Sequence, residues 1–243
     1  MTLTGLHPAN IKSRGRWAAL CVVVGCWLVA GCATSLVDKL YQARNGDPDD
    51  MREAITGIGE VLYAMEQEGV DYDEAGLEAV RYLIEVVTSK AANPLNRSQA
   101  LSALGRLQRP DVSDLFTDSL ADRFWLVRLE AAKAIIRHPN PEAAPIVIEQ
   151  LLQEPRVEVR IELVRNLLEF GPDESLETLL RLHLDQTGRY DAMRLKIYSG
   201  LLKFSGEDFP LEDELSWTNY YDALVAESES SSSAAPPKER SQE

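Results

Sequence analysis

Between Asp47 and Met65 the apolar positions Met51, Ile55, Ile58, Leu62 and Met65 are separated by four, three, four and three residues, the spacing that lines one side of an α-helix. The sequence therefore predicts an amphipathic helix there, with Asp47 as its cap and Pro48 in a first turn where a missing N–H is no loss. A second helix is expected from Asp73, with Leu77, Val80, Ile84 and Val87 on one face. Beyond Asn93-Pro94 the breaks fall at Arg109-Pro110, Pro139-Asn140-Pro141, Glu154-Pro155 and Gly171-Pro172, so prolines alternate with helices of roughly 11 to 15 residues. No strand pattern competes, and the chain is expected to be all-α.

One helix pattern is reused along the chain. Arg52, Arg97, Arg128, Arg160 and Arg194 each open a helical run, and the last four follow one another at 31, 32 and 34 residues. The third and seventh residues after each arginine are small or apolar, from Ile55 and Gly59 to Ile197 and Leu201. A unit of about thirty residues cannot bury its own apolar face and must stack on copies of itself. The expected fold is an α-α superhelix of about five helix pairs, at residues 35–67, 73–108, 110–138, 140–170 and 173–205. A capping helix within 211–226 follows, with Trp217, Tyr220 and Tyr221 on one face, so that solenoid and cap span 36–226. Residues 227–243 read as an acidic, serine-rich tail without the apolar groups needed to offset ordering, and are expected to be disordered.

The start of the chain has a different character. Residues 1–31 contain no acidic side chain, three cations (Lys12, Arg14, Arg16) and an uncharged stretch of 14 residues from Trp17 to Ala30. That stretch is shorter than the roughly 20 residues of a spanning helix and fits an export signal peptide. It ends in Leu28-Val29-Ala30-Gly31-Cys32, which resembles the lipobox of bacterial lipoproteins. The resemblance implies cleavage before Cys32 and lipidation of its thiol with diacylglycerol and fatty acid such as palmitate, leaving residues 32–35 as an acylated N-terminus. Two or more acyl chains give stable membrane attachment, and with so short a tether the body should lie against the membrane. Ala33 after the cysteine implies the outer membrane, facing the periplasm, in a cell with two membranes. Cys21 and Cys26 would leave with the signal, so no disulfide is available.

The repeat has its own resemblance. Val127-Arg128-Leu129-Glu130-Ala131-Ala132-Lys133-Ala134-Ile135, with Asp122 just ahead, is similar to the HEAT family in its short bacterial variety, first described in phycobilisome lyases. Val159-Arg160 and Met193-Arg194 match in part, and Asp47 with Arg52 repeats the interval approximately. The resemblance covers about residues 47–205. It implies a right-handed stack of antiparallel helix pairs with the arginine-bearing helices on the concave side, and it implies no lyase activity. Arg97 has no acidic residue ahead of it and Asp191 stands too close to Arg194, so a continuous aspartate–arginine ladder is expected to break at those two junctions.

Charge is sorted by helix. From residue 32 onward there are 22 basic and 39 acidic residues, which excludes nucleic acid as a partner, yet the arginine-bearing segments between 97 and 205 hold 14 basic against 5 acidic. The segments between them hold 1 basic and 11 acidic. Either opposite charges cancel across adjacent helices, with Asp122–Arg128 and Asp191–Arg194 as candidate pairs, or Lys133, Arg137, Arg165, Lys196 and Lys203 line a basic groove that faces an anionic partner. Catalytic chemistry finds no foothold. His138 and His183 lack metal-ligand company, no free thiol or nucleophile elbow is present, and Asp47, Asp49 and Asp50 serve a helix start; no enzyme activity, cofactor or metal is expected. The chain reads as a lipid-anchored repeat adaptor that binds a protein or peptide at the bacterial cell envelope. The alternative is a structural envelope component that binds anionic polysaccharide or lipid headgroups through the basic groove.

Overall fold

The computed structural model describes residues 36–233; the expected signal peptide, Cys32 and the last ten residues lie outside them. All regular structure within that range is helical. Helix α1 covers 36–45, followed by α2 (Pro48–Gln67), α3 (Glu74–Thr88), α4 (Pro94–Leu104), α5 (Ser113–Ser119) and α6 (Trp125–Arg137). Then come α7 (Ala144–Gln153), α8 (Val157–Phe170), α9 (Pro172–His183), α10 (Arg194–Ser205) and α11 (Glu214–Ser233).

Local chemistry sets these boundaries. Asp47 Oδ1 accepts from the N–H groups of Asp49 and Asp50 at 2.9 and 3.0 Å, and Pro48 occupies the first turn of α2. Asp73 Oδ1 accepts from Gly76 N at 2.8 Å, and Asn93 Oδ1 from Leu95 N at 2.9 Å. Each cap satisfies backbone donors that have no partner inside the helix. Helix α5 has only 7 residues, shorter than the sequence spacing predicts, because Pro110–Val112 form a separate 3-10 turn ahead of it.

The arginine-bearing helices α2, α4, α6, α8 and α10 form one row, each resting on the one before. Helices α3, α5, α7 and α9 each pair with the following member of that row, and α11 rests on α9. Helix α1 lies beside α2, with the Lys39 side chain over Gly57. The architecture is an α-α superhelix of five helix pairs. The third and seventh positions after each arginine are buried in all five units, which is how a helix held between neighbours on two sides hides its apolar stripe.

Contact within the row is close because small residues recur there. A Cβ added at Gly59 would lie 2.6 Å from Ala103 Cβ, and one at Gly105 would lie 2.7 Å from Ala134 Cβ. At Gly200 it would run into Leu168 Cδ2. Ala103, Ala134 and Gly200 all stand six residues after their arginine. Asn166 holds the same position in α8 and is fully buried; its Nδ2 donates to Ala132 O and Glu162 O, both at 2.9 Å.

Two details differ from the sequence expectation. On α3 the buried face runs through Ala79, Val80, Leu83 and Val87, while Leu77 is exposed; one turn of helix offers more than one plausible stripe when apolar residues are this dense. Helix α11 continues past Ala226 to Ser233, where disorder was expected from 227. The serine and glutamate steps contain no proline or glycine before Pro236, so nothing in the local sequence terminates the helix earlier.

Candidate functional site

The repeated arginines were the first candidates, and the structure uses three of them internally. Asp122 and Glu154 each stand six residues ahead of an arginine, Arg128 and Arg160. Their carboxylates turn back to the arginine of the preceding unit. Arg97 Nη1 and Nη2 donate to Asp122 at 2.5 and 3.1 Å, and Arg128 Nε and Nη2 donate to Glu154 at 2.7 and 2.8 Å. Their backbone carbonyls take the arginine of their own unit: Arg128 Nη1 donates to Asp122 O at 2.8 Å and Arg160 Nη1 to Glu154 O at 3.0 Å. Each carboxylate also accepts the N–H two residues on, from Phe124 at 2.8 Å and Arg156 at 3.0 Å. One acidic residue thus closes a turn and links two units.

These contacts correct the expected pairings. Asp122 meets Arg128 only through its carbonyl, and Arg97, expected to lack an acidic partner, finds one 25 residues downstream. At the next junction the residue six ahead of Arg194 is Gly188, which has no carboxylate to offer. Arg160 Nη2 donates to Arg189 O at 3.1 Å instead, and Arg189 Nη2 donates to Glu154 O at 2.7 Å. Arg194 is exposed and forms no ion pair with Asp191. Arg52 pairs with Asp49 on its own first turn.

Glu154 is the centre of this arrangement, with no exposed surface. Burial acts most strongly on its carboxyl and pushes the pKa up; the hydrogen bonds from Arg128, Arg156 N and Gln150 together outweigh burial and hold the group below its ordinary value. A carboxylate so enclosed is structural rather than reactive.

The five cations expected to line a groove divide into two sets. Lys133 Nζ is bound to Glu130 at 2.8 Å and Arg165 Nη1 to Glu162 at 2.7 Å, each an i,i+3 pair on its own helix. The equivalent positions on α10 are Lys196 and Ser199, so the pair is absent there. Arg137, Lys196 and Lys203 are exposed and form no ion pair among the described residues; Lys203 Nζ approaches Leu168 O at 3.4 Å and lies 5.0 Å from the Phe204 ring centroid.

The histidines are packing residues. His138 Nε2 is 3.2 Å from Gly105 O and its ring is 5.3 Å from that of Phe116. His183 sits 5.7 Å from the Trp217 ring and 6.3 Å from that of Tyr198; burial lowers its pKa, and nearby Arg194 acts in the same direction. Trp217 is fully buried against Phe209 and Tyr220 at the base of α11. Among the described residues no cluster of His, Cys, Asp and Glu could hold a metal ion.

Residues 113–194 match the family of HEAT repeats, a stretch that runs from α5 to the first residue of α10 and includes the Glu154 node. The crystal structure of an engineered protein is similar over 69% of this chain and 77% of its own, at 16% sequence identity and a TM-score of 0.48. No curated protein matches the chain. Residues 113–194 are thus similar to HEAT repeats, within a stack of helix pairs.

Proposed function

We propose that this protein is a binding adaptor of the bacterial cell envelope, anchored by lipid at Cys32, whose row of arginine-bearing helices holds a protein or peptide partner. The observation that carries this reading is the division of basic side chains along the row. Arg97, Arg128 and Arg160 are bound within the stack, whereas Arg137, Lys196 and Lys203 face solvent without carboxylate partners among the described residues. Exposed unpaired cations on a pre-formed surface attract an anionic partner and speed its approach. The anchor finds support in α1, the helix nearest Cys32, where Val37 and Tyr41 are 53% and 71% exposed. An apolar face so close to the lipid suits a body held against the membrane.

Two measurements test the reading. In-cell crosslinking identifies the bound species, and capture of that species by purified protein is then compared with the triple variant Arg137→Glu, Lys196→Glu, Lys203→Glu. We expect capture to fall about tenfold or more, wild-type capture to weaken as salt rises, and helicity to stay unchanged. Undiminished capture would retire the row as the binding surface, and recovery of polysaccharide or lipid in place of protein would favour an envelope component. Separately, Cys32→Ser should abolish incorporation of labelled palmitate; a variant that still incorporates it would sink the anchor.

A further inference from the structure

We infer that the turn ahead of α10 forms a binding site for a carboxylate on a short aliphatic stem, which supplies an acid that the stack lacks at that junction. The site goes beyond the adaptor reading and uses none of its exposed cations.

At two junctions the acid six places ahead of an arginine takes two hydrogen bonds from the arginine of the preceding unit, Asp122 from Arg97 and Glu154 from Arg128. At the next junction that position is Gly188, in a turn at φ +75°, and the guanidiniums gathered there bond to backbone oxygens alone. Arg160 donates to Glu154 O, Pro155 O and Arg189 O, and Arg189 donates to Glu154 O. The Nε of each is buried without a partner, and neither side chain forms an ion pair among the described residues. Asp191 does not fill the gap, since it is exposed and lines a smaller neighbouring cavity with Arg194. A part-buried positive charge without a counter-charge gains more from an entering carboxylate than an exposed one does, because folding has already removed much of its water.

A cavity of about 510 Å³ opens beside Arg189. Arg181 and Tyr190 extend its polar wall, and Leu152 and Leu182 form an apolar one. Arg181, in the last turn of α9, is exposed and in no ion pair among the described residues. The Tyr190 ring is buried, while its hydroxyl is in no hydrogen bond among the described residues. The acid of this cavity, Asp185, is held in its own turn, where Oδ1 accepts from Thr187 N at 2.8 Å and from the Thr187 hydroxyl. The corresponding cavity between α4 and α6 shows the arrangement with its carboxylate present. Arg123 stands five places ahead of Arg128, as Arg189 does of Arg194, and lines that cavity together with Arg97 and Asp122. A planar guanidinium matches a carboxylate in two parallel hydrogen bonds. The leucines suit an aliphatic stem, that of a glutamate side chain or of a short-chain acid.

The experiment titrates sodium butyrate into the purified, isotope-labelled full chain and follows the arginine Nε–H signals by NMR. Sodium chloride at equal ionic strength and neutral butyramide are the controls. A saturable shift of the Arg181 and Arg189 signals is expected from butyrate and from the blocked peptide Ala-Glu-Ala, and from neither control. The tighter of the two binders identifies a free acid or a partner's glutamate as the source of the carboxylate. Arg181→Gln, which removes no bond of the stack, should weaken binding about tenfold or more. Asp185→Asn keeps the acceptor of the turn and removes a repelling charge, so it should tighten binding about threefold or more, a gain that a misfolded protein cannot show. Equal shifts with chloride or butyramide, a shift that does not saturate, affinity indifferent to Arg181→Gln, or tighter binding of inorganic phosphate than of butyrate would overturn the assignment. If carboxylate binding fails while partner capture still depends on Arg137, Lys196 and Lys203, the adaptor reading stands and only this site is lost.

Discussion

Replacing Glu154 by glutamine is expected to lower stability by about 3–5 kcal/mol, the range for breaking one side of a buried ion pair. Arg128 retains only 10% of its side-chain exposure and Glu154 none, so neither can recover water when its partner is lost. Glutamine keeps the shape and one acceptor oxygen, but it places an amide nitrogen beside a guanidinium or the Arg156 N–H, donor against donor. In a chain of this length the loss corresponds to a fall in Tm of about 10 °C or more, measurable by circular dichroism. The companion variant Arg128→Met with Glu154→Leu should be far less damaging than the two single changes summed, because it leaves no buried charge behind. A Glu154→Gln protein that melts with the parent would remove the ladder from the account of what couples the units.

The same residue fixes the direction of a pH effect. Its folded carboxyl lies below its ordinary value of 4.5, so its contribution is fully present above that value and is lost as pH falls through the folded one. The parent should therefore lose stability through mildly to strongly acid solution more steeply than Glu154→Gln does. Parallel curves would mean that the carboxylate is not held as described.

Much of this stack could be read from one dimension. The arginine phase, the apolar third and seventh positions and the proline breaks are local signals, and burial followed them in every unit. The ladder is less legible, because its bonds join residues 25 and 26 apart, whereas the acidic residue that stands out in the sequence is the one ahead of each arginine within its own unit. A signal was present: Asp122, Glu154 and Gly188 all stand six residues before an arginine, so two junctions carry a carboxylate and the third does not. Two of the five groove cations, Lys133 and Arg165, are paired on their own helices for a related reason. Charge summed over whole helices conceals the i,i+3 neighbours Glu130 and Glu162, which occupy Lys133 and Arg165 before any partner arrives. The exposure of Leu195 and Leu202 could not be read at all, since their sequence surroundings repeat those of Ile161 and Leu168; what separates them is that no further helix of the row follows α10 among the described residues.

Gly59→Ala should destabilise the protein by about 1–3 kcal/mol, against the direction that helix propensity alone would give. Alanine is favoured over glycine inside a helix by about 1 kcal/mol, and Gly59 lies within α2 in ordinary helical geometry. Its new Cβ would stand 2.6 Å from Ala103 Cβ and 3.3 Å from Ala103 Cα, so relief requires α2 and α4 to separate rather than a side chain to turn. Separation would also stretch the bond from Thr56 Oγ1 to Gln99 at 3.4 Å along the same junction. The decisive comparison is the swap of Gly59→Ala with Ala103→Gly, which returns the missing methyl space to the other helix. The double variant should regain most of the loss, with each single change costing more than the pair. Stabilisation by Gly59→Ala alone, or additivity in the swap, would show that helix contact in the row is looser than the glycine and alanine positions imply.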